Sequence, residues 1–290
     1  MFSSLNLGKF FGIDVYIHPT FWILPLFVLL QGGHLAGIAF NILFIFAVFA
    51  CVVLHEIGHA LAARKYGIGT RHITLYPIGG VAALDRMPEK PSREIAIALA
   101  GPAVNLVIAG TLFIGLLAGS SLISADYDVI ARNPLARFVD YVFWANLVLF
   151  AFNLLPAFPM DGGRVLRALL AMRMTRLRAT TVAVGVGTVV AIGIGIYGLL
   201  DEPMNLNLVV LAVAVYLLGQ AELGMVRLRE TGRVIRERAE AYFYPPEDYS
   251  APSPHGPPSP GFSGLAWDAT RGVWVEWKNG VAVGAIPSGR

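Results

Sequence analysis

The stretch Leu54-His55-Glu56-Ile57-Gly58-His59-Ala60 holds the residues best suited to chemistry. Two histidines four apart share one face of a helix, so both imidazoles can point at a single ion. Glu56 then projects close enough to take a proton from a metal-activated water. That is the chemistry of metal-assisted hydrolysis. Catalytic zinc usually takes three protein ligands and leaves one position for water, so a third ligand must come from elsewhere. A second unusual stretch, Asn153-Leu-Leu-Pro156-Ala-Phe-Pro159-Met-Asp161-Gly162-Gly163, combines two prolines and two glycines with a carboxylate.

The elements that must position these residues are membrane helices. Of the 290 residues, 56% are hydrophobic and 14% charged, with a mean hydropathy of +0.64; soluble domains carry about 25% charged residues. Residues 15–55, 95–125, 141–160, 179–200 and 203–221 contain no Asp, Glu, Lys or Arg. About 20 helical residues cross a hydrocarbon core of about 30 Å. This composition excludes a soluble globular enzyme and a disordered chain. It points to an all-α polytopic membrane protein with about six transmembrane helices, expected near 15–30, 35–63, 95–117, 138–155, 179–200 and 206–224. Gly101-Pro102 marks a kink in the third. The lone Cys51 excludes a disulfide framework. Asp14 ahead of the first apolar run fits an uncleaved membrane helix better than a signal peptide.

The basic residues orient the spans. With both termini read as cytoplasmic, 17 Lys and Arg residues flank the spans on the inside and two, Arg132 and Arg137, lie outside; such a bias sets topology. The positive charge therefore belongs to the membrane surface and implies no nucleic acid. The same topology selects the third ligand. His55 and His59 precede Arg64 by nine and five residues, close to the cytoplasmic interface. Asp140 and His34 fall at the opposite side. Asp161, three residues before Arg164, matches in depth, in a broken helix of the kind tolerated where backbone is buried or lines a cavity. His18 is geometrically possible, though it reads more simply as a packed or interfacial histidine.

The His-Glu-Ile-Gly-His motif in a membrane helix, together with Asn153–Gly163, resembles the site-2 protease family of intramembrane zinc metalloproteases. The likeness extends through Tyr76-Pro-Ile-Gly-Gly-Val-Ala-Ala-Leu84, through Ala98-Leu-Ala-Gly-Pro-Ala-Val-Asn105 and to Ile17-His18, covering roughly residues 8–224. It is strongest to the six-span group that includes the sporulation sigma-factor-processing protease. The resemblance implies one zinc ion on His55, His59 and Asp161, with Glu56 as general base. It implies that Asn153 helps hold or polarise the substrate backbone, although a helix-ending turn residue would look the same. It also implies a strand or re-entrant hairpin near 73–84, around Gly79 and Gly80, that pairs with an unwound substrate; the plainer reading is a cytoplasmic connector. The substrates implied are membrane proteins with a transmembrane helix, such as anti-sigma factors or membrane-tethered regulators, met within the lipid bilayer. The nucleotide-sensing domains of many six-span relatives have no counterpart in the expected tail.

That tail divides into a basic juxtamembrane helix and Pro-rich linker at 225–261 and a β-hairpin or meander at 262–290, built around an Asn279-Gly280 turn. Gly261-Phe262-Ser263-Gly264 mimics a serine-nucleophile motif but lies outside any span and reads as a turn. A metal or ion transporter lined by the membrane histidines is the alternative from another class. Transporters often carry internal repeats, and the histidine motif occurs once.

Overall fold

The computed structural model describes residues 4–86, 88, 90–123, 133–243, 261–268 and 273–287. The Pro-rich linker expected at 245–260 lies outside them. The chain divides into two compact units, Met1–Arg229 and Glu230–Arg290.

The first unit begins with a hairpin, β1 (Leu5–Phe10) and β2 (Ile13–Ile17), closed at Phe11-Gly12, both at positive φ. A helical turn at Pro19–Trp22 leads into α1 (Ile23–Gln31), and α2 follows (Leu35–Lys65). The hairpin β3 (Thr70–Tyr76) and β4 (Gly79–Leu84) precedes α3 (Pro91–Ile123). Then come α4 (Pro134–Asn153), the short α5 (Asp161–Ala171), α6 (Arg176–Leu200) and α7 (Leu206–Phe243), which runs across the boundary between units. Among the described residues five helices, α2, α3, α4, α6 and α7, are long and apolar enough to cross a membrane.

The helix ends follow local chemistry. Asn133 Oδ1 accepts the Leu135 amide at 2.9 Å, with Pro134 in the first turn, a strong start signal. Arg64 and Lys65 close α2, where cations complement the helix dipole.

The expected first span departs from this pattern. Its opening residues form β2, in which Ile13, Val15 and Ile17 alternate inward. The helical part, Pro19–Gln31, is shorter than the five long helices; thirteen residues rise only about 20 Å. The physical reason is a better use for the β-branched start of the run. It pairs in parallel with β3, Val15 opposite Ile73 and Ile17 opposite Leu75. Pro19 then restarts the backbone as helix.

The strands form a sheet in the order β1-β2-β3-β4. Its inner face, Ile13, Val15 and Ile73, packs with Ile57 and Ala60 of α2. The backbone between α4 and α5 is embedded in the helices: Ala157 and Met160 pack with Ala191 and Val215, and Phe158 with Ala183, Val184 and Leu223.

The second unit contains a meander, β5 (Gly264–Asp268), β6 (Val273–Lys278) and β7 (Val281–Pro287), paired antiparallel in that order. Asn279 and Gly280, both at positive φ, make the two-residue turn that Asn-Gly favours. Ser263 Oγ accepts the Asn279 amide at 2.9 Å, so the serine of the nucleophile-like motif serves a turn.

Candidate active site

Two turns of α2 and the first residue of α5 converge. His59 Nε2 stands 3.0 Å from His55 Nε2 and 3.1 Å from Asp161 Oδ2. His55 Nε2 is 3.2 Å from the same oxygen. All three residues are buried. The α4–α5 bend delivers Asp161 from over a hundred residues away in sequence. Gly162 and Gly163 allow the close turn, since a Cβ at Gly162 would overlap the carbonyl oxygens of Leu154 and Leu155.

The third helix shapes the same point. His59 Nδ1 donates to the Ile97 carbonyl at 2.7 Å. This leaves Nε2 as the lone-pair nitrogen, an arrangement typical of metal-binding histidine. One turn on, a Cβ added at Gly101 would overlap Nε2 of both histidines. A Cβ at Gly58 would come within 2.9 Å of the Ala100 carbonyl oxygen, so α2 and α3 approach closely beside the motif.

A divalent metal fits this donor set. Two imidazole nitrogens and a carboxylate oxygen face one point, their ligand atoms within 4.8 Å of one another. Ligands on a tetrahedron with bonds of about 2.0 Å would stand about 3.3 Å apart, close to the distances found. His55 Nδ1 is buried with no hydrogen-bond partner among the described residues, and its Nε2 is the nitrogen that faces Asp161 and His59. Nitrogen and carboxylate donors together suit zinc.

Glu56 is half-buried, on the side of α2 that faces β4. A Cβ at Gly80 would come within 2.7 Å of Glu56 Cγ and 3.2 Å of Val52 Cγ1, so only glycine lets the strand lie this close. Gly79 has φ +137°, a conformation that favours glycine. β4 ends the sheet order, so one of its edges has no neighbouring strand among the described residues, and such an edge can pair with an added strand.

The remaining sequence candidates sit elsewhere or act locally. Asn153 ends α4, and its Nδ2 donates to the Leu149 carbonyl at 2.9 Å. His18 Nδ1 lies 2.7 Å from Thr20 Oγ1, and its ring stacks on Tyr76 at 4.8 Å; it packs where the first helical turn begins. His34 caps α2 by accepting the Ala36 amide. Asp140 belongs to the opposite end of α4 from Asn153, about 20 Å along the axis. Sequence reasoning missed Ile97, whose contribution is a backbone carbonyl, and read Gly101 as half of a kink rather than as the space for two ring nitrogens.

The model of peptidase family M50 matches residues 43–128 and 117–194. A zinc metalloprotease of Methanocaldococcus jannaschii is 36% identical over 236 residues, covering 81% of this chain and 65% of its own length. Stage IV sporulation protein FB of Bacillus subtilis is 25% identical over 202 residues, covering 69% of this chain and 63% of its own length. The chain thus spans a little under two thirds of each of these relatives. The solved site-2 protease from Methanocaldococcus jannaschii aligns with a TM-score of 0.55 and 34% identity, over 76% of this chain and 95% of that one.

Proposed function

This chain belongs to peptidase family M50, and from that premise we propose that it is an intramembrane zinc metalloprotease. It hydrolyses a peptide bond within or next to a transmembrane segment of a membrane-protein substrate. The observation that carries the proposal is the convergence of His55, His59 and Asp161 beside Glu56 and the open edge of β4.

His55, His59 and Asp161 hold the ion, with His59 kept in the right tautomer by the Ile97 carbonyl. Zinc bound there supplies Lewis acidity toward the scissile carbonyl and lowers the pKa of water toward about 7. Glu56 takes a proton from the attacking water and passes it to the departing amide nitrogen as the C–N bond breaks. A substrate helix hides its peptide bonds in i→i−4 hydrogen bonds and must first unwind. The unwound segment then adds to β4 as an extra strand, Gly79 and Gly80 bringing that edge up to Glu56. Asn153 turns its amide from Leu149 to the substrate backbone, where a donor can stabilise developing negative charge.

With the short helical run Pro19–Gln31 counted as a sixth crossing, both termini face the cytoplasm, an orientation that the 17-to-2 distribution of basic residues supports. Substrates are single membrane helices of the anti-sigma-factor or tethered-regulator type. Residues 1–224 form the protease core, with 225–261 a juxtamembrane helix and linker and 262–290 a separate tail. The matched family is a peptidase family, and no observation favours the transporter alternative.

The test uses the purified full chain and a single-span substrate. Cleavage within the span should stop with a zinc chelator and return on adding zinc. Asp161→Ala should lose both zinc and cleavage, and Asp140→Ala should keep its zinc. Full zinc occupancy in Asp161→Ala would overturn the ligand assignment.

A further inference from the structure

Arg167, on α5, is the largest fully buried side chain among the described residues. Its guanidinium joins elements that are far apart in sequence. Nε and one terminal nitrogen donate to Glu94 Oε1 on α3 at 2.8 and 2.5 Å. The other terminal nitrogen donates to Glu222 Oε1 on α7 at 2.5 Å. The same guanidinium lies 5.0 Å from the Phe158 ring in the α4–α5 bend. Arg176, at the start of α6, pairs with Glu94 Oε2 at 3.2 Å and donates to the Pro88 carbonyl at 3.0 Å. Two cations and two carboxylates from four helices close a neutral network.

Both ends of this network lead to the proposed metal ligands. Asp161 stands between Phe158, under the guanidinium, and Arg167 itself, so the bend and the helix that present it are pinned on either side. On α3, Glu94 lies one turn before Ile97, whose carbonyl fixes the His59 ring, and two turns before Gly101. Buried ion pairs seldom stabilise more than apolar packing of the same shape. Their directional hydrogen bonds do fix geometry, and a planar guanidinium can hold two carboxylates at once in a way an ammonium cannot.

We propose that Arg167 is a positioning residue for the metal centre: through Glu94, Glu222 and Phe158 it sets the separation between Asp161 and the histidine pair. The proposal rests on the metal-site reading above. Partners that orient metal ligands commonly change affinity about 10–100-fold when removed. Here the effect travels through a helix and a bend, so the expected loss lies toward the lower end of that range.

The experiment titrates the full-length, metal-free protein in detergent with Co²⁺, whose visible absorption reports the ligand set. Four proteins are compared: wild type, Arg167→Lys, the charge-removing triple variant Arg167→Met/Glu94→Gln/Glu222→Gln, and the surface control Arg71→Met. Wild type and Arg71→Met should bind one Co²⁺ with the same tetrahedral band. Arg167→Lys and the triple variant should bind about 10-fold more weakly, with an altered band, while circular dichroism shows native helix content. The triple variant leaves no buried carboxylate unpaired, and the Arg176 side chain it deprives of Glu94 is 35% exposed and is hydrated instead, so the variant keeps the comparison available if Arg167→Lys does not fold. Wild-type affinity and spectrum in a folded Arg167 variant would overturn the positioning role. Absence of Co²⁺ binding by wild type would instead overturn the metal-site reading, and the positioning role with it.

Discussion

The sheet of β1–β4 and the sheet of β5–β7 both turn on residues at positive φ, Phe11-Gly12 in the first and Asn279-Gly280 in the second, but they are stabilised differently. The first buries Ile13, Val15 and Ile73 against Ile57 and Ala60 of α2. Ile57 lies between the two histidines, so the packing that holds this sheet also sets the rotation of the motif. The second carries a Trp267–Trp274 ring pair with centroids 5.4 Å apart, and Val275 is its buried side chain among the described residues. A sheet takes part in chemistry when its buried face is shared with the element that bears the reactive groups. The first sheet meets that condition.

The largest contrast between them is expected at their glycines. Gly80→Val should reduce cleavage about 100-fold or more, because the new side chain displaces Glu56 and misplacement of a catalytic group by about 1 Å costs that much. Gly284→Ala in the second sheet should leave turnover unchanged, since the nearest atom to a Cβ there, Glu276 Oε2, is 3.8 Å away. Initial rates on one substrate settle this, and equal rates for the two variants would break the comparison.

A smaller effect is expected on stability. Ile73→Ala should lower the unfolding free energy by about 2–5 kcal/mol and should reduce zinc retention with it. Val275→Ala should cost about 1–2 kcal/mol and leave the zinc content alone. Thermal unfolding followed alongside metal analysis distinguishes them; zinc loss in Val275→Ala would tie the second sheet to the centre.

The smallest effect is expected from removing the second sheet. Truncation after residue 243 should change zinc content and detergent-phase turnover by less than about 2-fold, because a Pro-, Ser- and Gly-rich linker transmits little force. Loss of zinc from a folded, truncated chain would make the tail part of the catalytic unit.

Much of this was legible in the sequence where chemistry and pattern coincide. The histidine pair, the long apolar runs and the match in depth between Asp161 and the pair pointed to one place, and the His55, His59 and Asp161 side chains converge there. The Asn279-Gly280 turn was equally plain, since few dipeptides adopt two consecutive positive φ angles. The first apolar run was harder: residues 15–30 have the same hydropathy whether they form one helix or a strand followed by a short helix, and the choice is made by pairing with β3. Two further contributions leave no local signature. The carbonyl of Ile97 acts on His59 through the backbone, which side-chain patterns do not encode. Arg167 reads in sequence as one more cytoplasmic base, and its burial depends on Glu94 and Glu222, which lie 73 and 55 residues away.

The central claim is that Glu56 performs proton transfer at a metal centre it does not help to hold. Purified Glu56→Gln, compared with wild type for zinc per chain and for cleavage of a single-span substrate, tests it most directly. The expected result is an undiminished zinc content with cleavage reduced by about 100- to 10,000-fold, since the amide cannot accept the proton. A variant that keeps one zinc per chain and cleaves at the wild-type rate would contradict the account.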